Sequence, residues 1–207
     1  MRIIDITLPL SPATPTYKGK KKKPEIILSR SIEQGANETL LSFESHTGTH
    51  VDAPFHMIAE GKTIDQYPLE QFEGKAYVAE IRNTGVITEE HLAFLKDLPV
   101  FKTYVLLKTD NSFGDLNRES FTYLSESGAI FLTRLAVKGV GIDALGIERN
   151  QPGHPTHRIL LSQDRLIYEG LALSSITPGW YQFQAYPLFI LKGDGSPVRA
   201  VLWEIQP

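Results

Sequence analysis

The chain contains no cysteine. That absence excludes disulfides, thiol nucleophiles and thiolate metal ligands together. Any metal it holds must sit on imidazole and carboxylate groups. No stretch approaches the run of about 20 apolar residues that spans a bilayer. The start, Met1-Arg2-Ile3-Ile4-Asp5, lacks the basic opening and apolar run of a signal peptide. These absences predict a soluble protein of the cytoplasm with no membrane partner. The formal net charge is only −3, so no global field draws the protein onto nucleic acid. There is no G-x-S-x-G elbow, no phosphate loop and no G-x-G-x-x-G following a strand.

What remains is an ordinary globular composition, 42% hydrophobic and 22% charged over 207 residues. That length fits one domain spanning residues 1–207, large enough to bury a core without staples. Apolar runs predict strands at Arg2–Leu8, Glu25–Ser29, Thr39–Phe43, Ala76–Ile81, Tyr104–Lys108, Val140–Ile142, Ala185–Leu191 and Arg199–Glu204. Helical patterns fall at Glu89–Lys96, Glu119–Glu126, Ala129–Lys138 and His157–Gln163. Thr88 and Thr156 stand where helix N-caps belong, and Gly139 where a helix would stop. Gly193-Asp194-Gly195-Ser196-Pro197 reads as a hairpin turn. Strands interleaved with helices predict an α/β domain, its mixed, barrel-like sheet covered by helices outside. The run from Lys18 to Lys23, five lysines around Gly19, reads as a solvated loop whose charges repel one another.

Three of the six histidines fall at positions 46, 50 and 56, with Asp52 among them. In an extended chain side chains alternate faces, so these even-numbered residues would share one. Gly and Pro in the segment argue against a helix. A straight strand, however, would separate the His46 and His50 backbones by roughly 13 Å, while metal–nitrogen bonds are about 2.0–2.1 Å long. A common centre therefore requires a bend, and Gly48 is the residue that permits it. Imidazole and carboxylate suit Zn(II), Mn(II) or Fe(II). Farther on, His157 and Glu169 would converge if the helix between them folds back. A capped surface helix explains that pair equally well. His91 reads as a surface residue and His154 as a loop residue.

The segment His46-Thr47-Gly48-Thr49-His50-Val51-Asp52-Ala53-Pro54-Phe55-His56 resembles the H-x-G-T-H-x-D-x-P-x-H signature of the cyclase family of metal-dependent hydrolases, which includes bacterial kynurenine formamidase and isatin hydrolase. The resemblance continues through Ile64-Asp65-Gln66-Tyr67-Pro68-Leu69, Gly141-Ile142-Asp143, His154-Pro155-Thr156-His157-Arg158, Glu169-Gly170-Leu171 and Asp194-Gly195-Ser196-Pro197-Val198-Arg199. It implies a compact α/β fold with a barrel-like sheet, two divalent ions (zinc foremost, or manganese) and assembly into homodimers or homotetramers. It also implies that His46, His50 and Asp52 ligate the first ion, that Asp52 bridges to the second, and that His157 and Glu169 complete the second site. His56 matches the acid–base histidine.

The sequence departs from that pattern at two places. Where kynurenine formamidases carry an aromatic residue, typically Trp, followed by Pro-Gly-Asp, this chain has Tyr17-Lys18-Gly19-Lys20. After Gly-Ile-Asp it has Ala144-Leu145-Gly146-Ile147-Glu148, where relatives often carry a serine and a second aspartate. The implied activity is hydrolysis of an amide carbon–nitrogen bond in a small formamide or cyclic amide, with water activated by the metals and Tyr17 against the substrate. Two alternatives are a lactonase or esterase on the same ions, and a non-catalytic metal-binding member of the fold.

Overall fold

Alternation along the strands sets the layering. The protein, described at residues 2–17, 23–116 and 120–205 in a computed structural model, buries both faces of its central strands. The nine-stranded sheet runs in the order β1 (Ile3–Asp5), β13 (Val201–Glu204), β11 (Gly179–Gln184), β5 (Glu73–Glu80), β7 (Tyr104–Lys108), β9 (Gly139–Ile142), β10 (Leu166–Glu169), β4 (His50–Asp52) and β12 (Gly195–Pro197). β5, β7, β9 and β10 are parallel; the outer strands are antiparallel. The sheet curls into a half-barrel of mixed strands with a few helices. Two small sheets stand apart: the hairpin β2 (Glu25–Arg30) with β3 (Glu38–Ser42), and the parallel pair β6 (Val86–Ile87) with β8 (Tyr123–Leu124).

Tyr104, Leu106, Leu166, Tyr168 and Val51 point to one face and pack with Phe72 and Phe183. Val105, Leu107, Val140 and Ile167 point to the other, where residues of α1 (Glu89–Leu92), α2 (Glu126–Arg134) and α3 (Pro155–Leu161) cover them. This period of two places His50, Asp52 and Glu169, the neighbours of Val51 and Tyr168, on the helix-covered face. No helix among the described residues is long and apolar enough to cross a membrane.

Several local expectations are corrected. The region expected to be a helix at Glu119–Glu126 instead carries β8, with Glu119 outside the described residues. The Asn111 side chain clasps both the N–H and the C=O of Thr122 at 2.9 Å, doing the work of a neighbouring strand. The helix begins only at Glu126, after Ser125 accepts a cap bond from the Gly128 amide. It ends at Arg134, with Ala136 left-handed at φ 52°. Gly139 is thus no helix stop. It opens β9, where an added Cβ would lie 2.8 Å from the Leu166 carbonyl oxygen and 2.9 Å from the Tyr104 ring.

Thr156 does not cap α3; it lies inside the helix and donates to Leu124 O. Ala185–Leu191 is irregular apart from a bridge between Pro187 and Val198. Pro187 has no amide to give a ladder, and the aromatic-rich run just before it, Trp180 to Phe183, forms β11 instead. The expected turn at Gly193–Pro197 contains β12, which pairs with β4. Of the lysine run, Lys18 to Lys22 lie outside the described residues, and Lys23 is exposed.

Candidate metal centre

Two strands and one helix end supply the site. β4 pairs antiparallel with β10 so that His50 faces Glu169 directly, with Asp52 two residues along on the same face. His50 Nε2 lies 3.3 Å from Glu169 Oε2 and 3.4 Å from Asp52 Oδ1. α3 brings His157, whose Nε2 is 3.4 Å from Glu169 Oε1 and 3.7 Å from Asp52 Oδ2. The intervening segment does fold back, as the convergence of His157 and Glu169 requires.

The chain before β4 is not a strand. Residues 45–49 turn, and Gly48 takes φ +66°, a left-handed conformation at the bend. Its carbonyl accepts the His50 Nδ1 proton at 3.0 Å, leaving His50 Nε2 to face the carboxylates. The turn swings His46 back over the centre, 2.8 Å from Asp52 Oδ1 through Nδ1. His56 follows in a short 3-10 turn at Pro54–His56, its ring 3.9 Å from that of His46. The shared parity of positions 46, 50, 52 and 56 therefore has two causes. Only His50 and Asp52 share a strand face; turns deliver His46 and His56.

Asp194 was missed as a site residue because its Gly-Asp-Gly setting looks like a plain turn. Its Oδ2 lies 2.8 Å from His46 Nε2 and 3.6 Å from His56 Nδ1, and Ser45 Oγ donates to Oδ1 at 2.9 Å. The glycine after it faces Asp52 across the ladder. A Cβ there would come within 3.0 Å of the His46 ring, so glycine leaves the ring its place. The legible signal was an acid beside a glycine that the turn alone did not require.

The charges are strongly coupled. Burial opposes protonation of His50, but the adjoining Asp52 and Glu169 carboxylates override it and push the imidazole up to about 10. Burial likewise opposes protonation of His157, and Glu148, Glu169 and Asp52 raise it to about 10. Burial pushes Asp52 up, yet His46 and His50 hold it well below the usual carboxylate range. Asp194 is also held low, chiefly by its bond to His46. Without a cation, then, protons occupy the nitrogens that face the carboxylates.

A divalent ion fits this donor set. His50 Nε2 and Asp52 Oδ2 are buried and make no hydrogen bond, a costly condition for polar atoms unless something else engages them. Arg165 Nε and Tyr168 OH share that condition elsewhere in the fold. Ligand-capable atoms of His50, Asp52 and Glu169 lie within 4.8 Å of one another, as do those of His46, Asp52 and His56. Asp52 belongs to both groups. The mix of imidazole nitrogen and carboxylate oxygen suits zinc or manganese.

A pocket of about 90 Å³ opens onto this centre, lined by Tyr17, Met57 and Leu145 together with His46, His56, His157 and Glu169. Tyr17 is half-buried there, edge-on to Phe121 at 6.0 Å. A larger cavity of about 400 Å³, lined by Leu8, Phe43 and Val198, lies beyond the Thr47–Thr49 turn and holds none of the site's imidazoles or carboxylates.

Comparison with known proteins agrees with this geometry. The family model Cyclase ("Putative cyclase") matches residues 4–149. The kynurenine formamidase of Salinibacter ruber is 33% identical over 214 residues, covering 98% of this chain and 97% of that protein. The solved structure of a potential metal-dependent hydrolase with cyclase activity superposes with a TM-score of 0.89 at 36% identity, covering 100% of this chain and 99% of that one. Isatin hydrolase A from Labrenzia aggregata, bound to benzyl benzoate, gives a TM-score of 0.86 at 25% identity over 97% of this chain and 93% of that one. Sequence, fold and donor geometry converge along the whole length, and the chain belongs to the Cyclase family of metal-dependent hydrolases.

Proposed function

We propose that the protein hydrolyses an amide carbon–nitrogen bond in a small formamide or cyclic amide, using two divalent cations, zinc or manganese. The observation that carries this reading is the convergence of His46, His50, Asp52, His157 and Glu169 on one buried centre beside His56. His46, His50 and Asp52 would hold one cation, His157 and Glu169 the other, with Asp52 shared. Bound divalent cations lower the pKa of water and stabilise charge that develops on a carbonyl oxygen.

The protein's own groups do the rest. Asp52 and Glu169 bring two negative charges against four positive ones, leaving a surplus that favours an anionic transition state. His56 is partly exposed on the pocket wall and would give its proton to the departing nitrogen, a transfer suited to imidazole. Water adds to the carbonyl carbon, the carbon–nitrogen bond breaks, and the nitrogen leaves protonated. Tyr17 forms part of the pocket wall and is read as a substrate contact. The relatives named kynurenine formamidase and isatin hydrolase support amide substrates of this size. The same reading includes assembly into a homodimer or homotetramer, which light scattering tests. Its support is the exposed apolar surface at Leu28, Leu40 and Leu41 of the β2–β3 hairpin.

The decisive experiment is turnover of N-formylkynurenine, isatin and matched esters and lactones by protein reconstituted with zinc or manganese. Amide cleavage that a chelator abolishes is expected. Cleavage of esters alone would assign a lactonase or esterase, and no turnover across the panel would assign a binding role.

A further inference from the structure

We infer that Glu148 is a positioning residue for the centre: it fixes His157 in the tautomer and orientation that aim Nε2 at Asp52 and Glu169. The inference rests on the proposed metal centre and concerns how one of its ligands is held.

The Glu148 side chain is only 2% exposed. Its Oε1 lies 2.5 Å from His157 Nδ1 and accepts the His157 amide at 3.4 Å. Its Oε2 accepts the Thr156 amide at 3.1 Å and Gln151 Nε2 at 2.9 Å. His154 Nδ1 approaches Oε1 at 3.3 Å. With Nδ1 protonated by this contact, the remaining ring nitrogen faces the Asp52 and Glu169 carboxylates. A carboxylate behind an imidazole is a general means of fixing which nitrogen is free to ligate and of raising its basicity.

The neighbouring residue performs the matching task. The Ile147 amide donates to Glu169 Oε1 at 2.6 Å. Two consecutive residues therefore secure the two side chains read as the second cation's ligands, the amide of one holding Glu169 and the carboxylate of the other holding His157. The segment is itself anchored, since the Leu124 amide donates to Ile147 O at 2.8 Å.

Four of the five contacts come from backbone amides, an amide NH2 and a ring N–H; His154 adds a second imidazole. Glu148→Gln therefore sets an NH2 against at least one donor, and Glu148→Ala removes the acceptor altogether. A role confined to capping α3 would move stability without touching the ring. The test combines chelator-competition titration of zinc with ring nitrogen-15 spectra of His157. In the zinc-loaded wild type, His157 is expected to carry its proton on Nδ1. Glu148→Ala is expected to bind zinc about 10–100-fold more weakly, with Glu148→Gln also impaired. A proton on Nε2 in the loaded wild type would overturn the inference, and that reading needs no variant to fold. Unchanged zinc affinity in both variants would overturn it too, even if unfolding temperatures fall. A wild type that takes up no zinc sinks the centre itself, a result read before any substitution is made.

Discussion

Asp194 Oδ2 lies 2.8 Å from His46 Nε2, tying the turn before β12 to the turn before β4. His46 is held on its other side by Asp52. Asp194→Ala is therefore expected to weaken zinc affinity and turnover, each by about 10–100-fold, as loss of a carboxylate that orients a ligating histidine does. Chelator competition and steady-state rates check this. A variant with wild-type affinity and rate would show that the contact is incidental.

His56 is read as the proton carrier, not a ligand. His56→Ala should lower turnover about 10²–10⁴-fold, the usual contribution of a positioned acid or base, with metal content near normal by elemental analysis. Loss of metal along with activity would reassign His56 to coordination, a role its grouping with His46 and Asp52 also permits.

Asp52 belongs to two of the three ligand-capable groups, the third being Glu148, His154 and His157. Asp52→Ala should thus remove metal and activity together. An active, metal-free variant would end the proposed function.

The metal-free protein should respond to pH in a defined direction. Despite burial, neighbouring carboxylates raise His50 and His157 from an ordinary value of 6.5 to about 10. Because the folded values lie above the unfolded ones, the stabilisation is complete below pH 6.5 and is lost as pH rises towards 10. Thermal unfolding temperatures of the metal-free protein should fall over that interval. The zinc-loaded protein should not follow the same curve, because cations replace those protons. A flat metal-free profile would show that the imidazoles are not protonated as the geometry requires.

Two glycines near the site should differ. Gly48 has φ +66°, and an added Cβ would meet Thr14 at an ordinary 3.5 Å. Gly48→Ala should then cost about 1–2 kcal/mol, the left-handed penalty alone. Gly170 shares φ +66°, but its Cβ would press on the Gly48 carbonyl, 2.9 Å from that carbon. Gly170→Ala should be the more destabilising in denaturant titrations. The reverse order would mean that the Gly48 bend is under greater constraint than its contacts show.

Much of the site was legible because its residues are close in sequence and chemically distinctive. His46, His50, Asp52 and His56 fall within eleven positions, and the need for a bend pointed to Gly48. His157 and Glu169 were ambiguous until a helix and strand brought them together, since spacing alone cannot show a chain folding back. Asp194 stands in a segment that matches the family pattern and Glu148 in one that departs from it, yet neither was given a role. Each contacts a histidine distant in sequence or across a turn, and each sits among residues that suit a turn or a loop. In the fold, Tyr104–Lys108 stood out because both its faces are buried. The short strands His50–Asp52, Leu166–Glu169 and Gly195–Pro197 did not, because each has only three or four residues and polar or glycine and proline positions among them leave no apolar run to recognise.

The pairing of His50 with Glu169 ties coordination to strand alignment. Sliding β10 by one residue against β4 would turn Glu169 to the opposite side of the sheet and bring Tyr168 round in its place. An intermediate misaligned by one residue thus lacks Glu169 on the side that a cation would occupy. Cation capture would then favour the native alignment of β10 and β4 over its one-residue neighbours during folding.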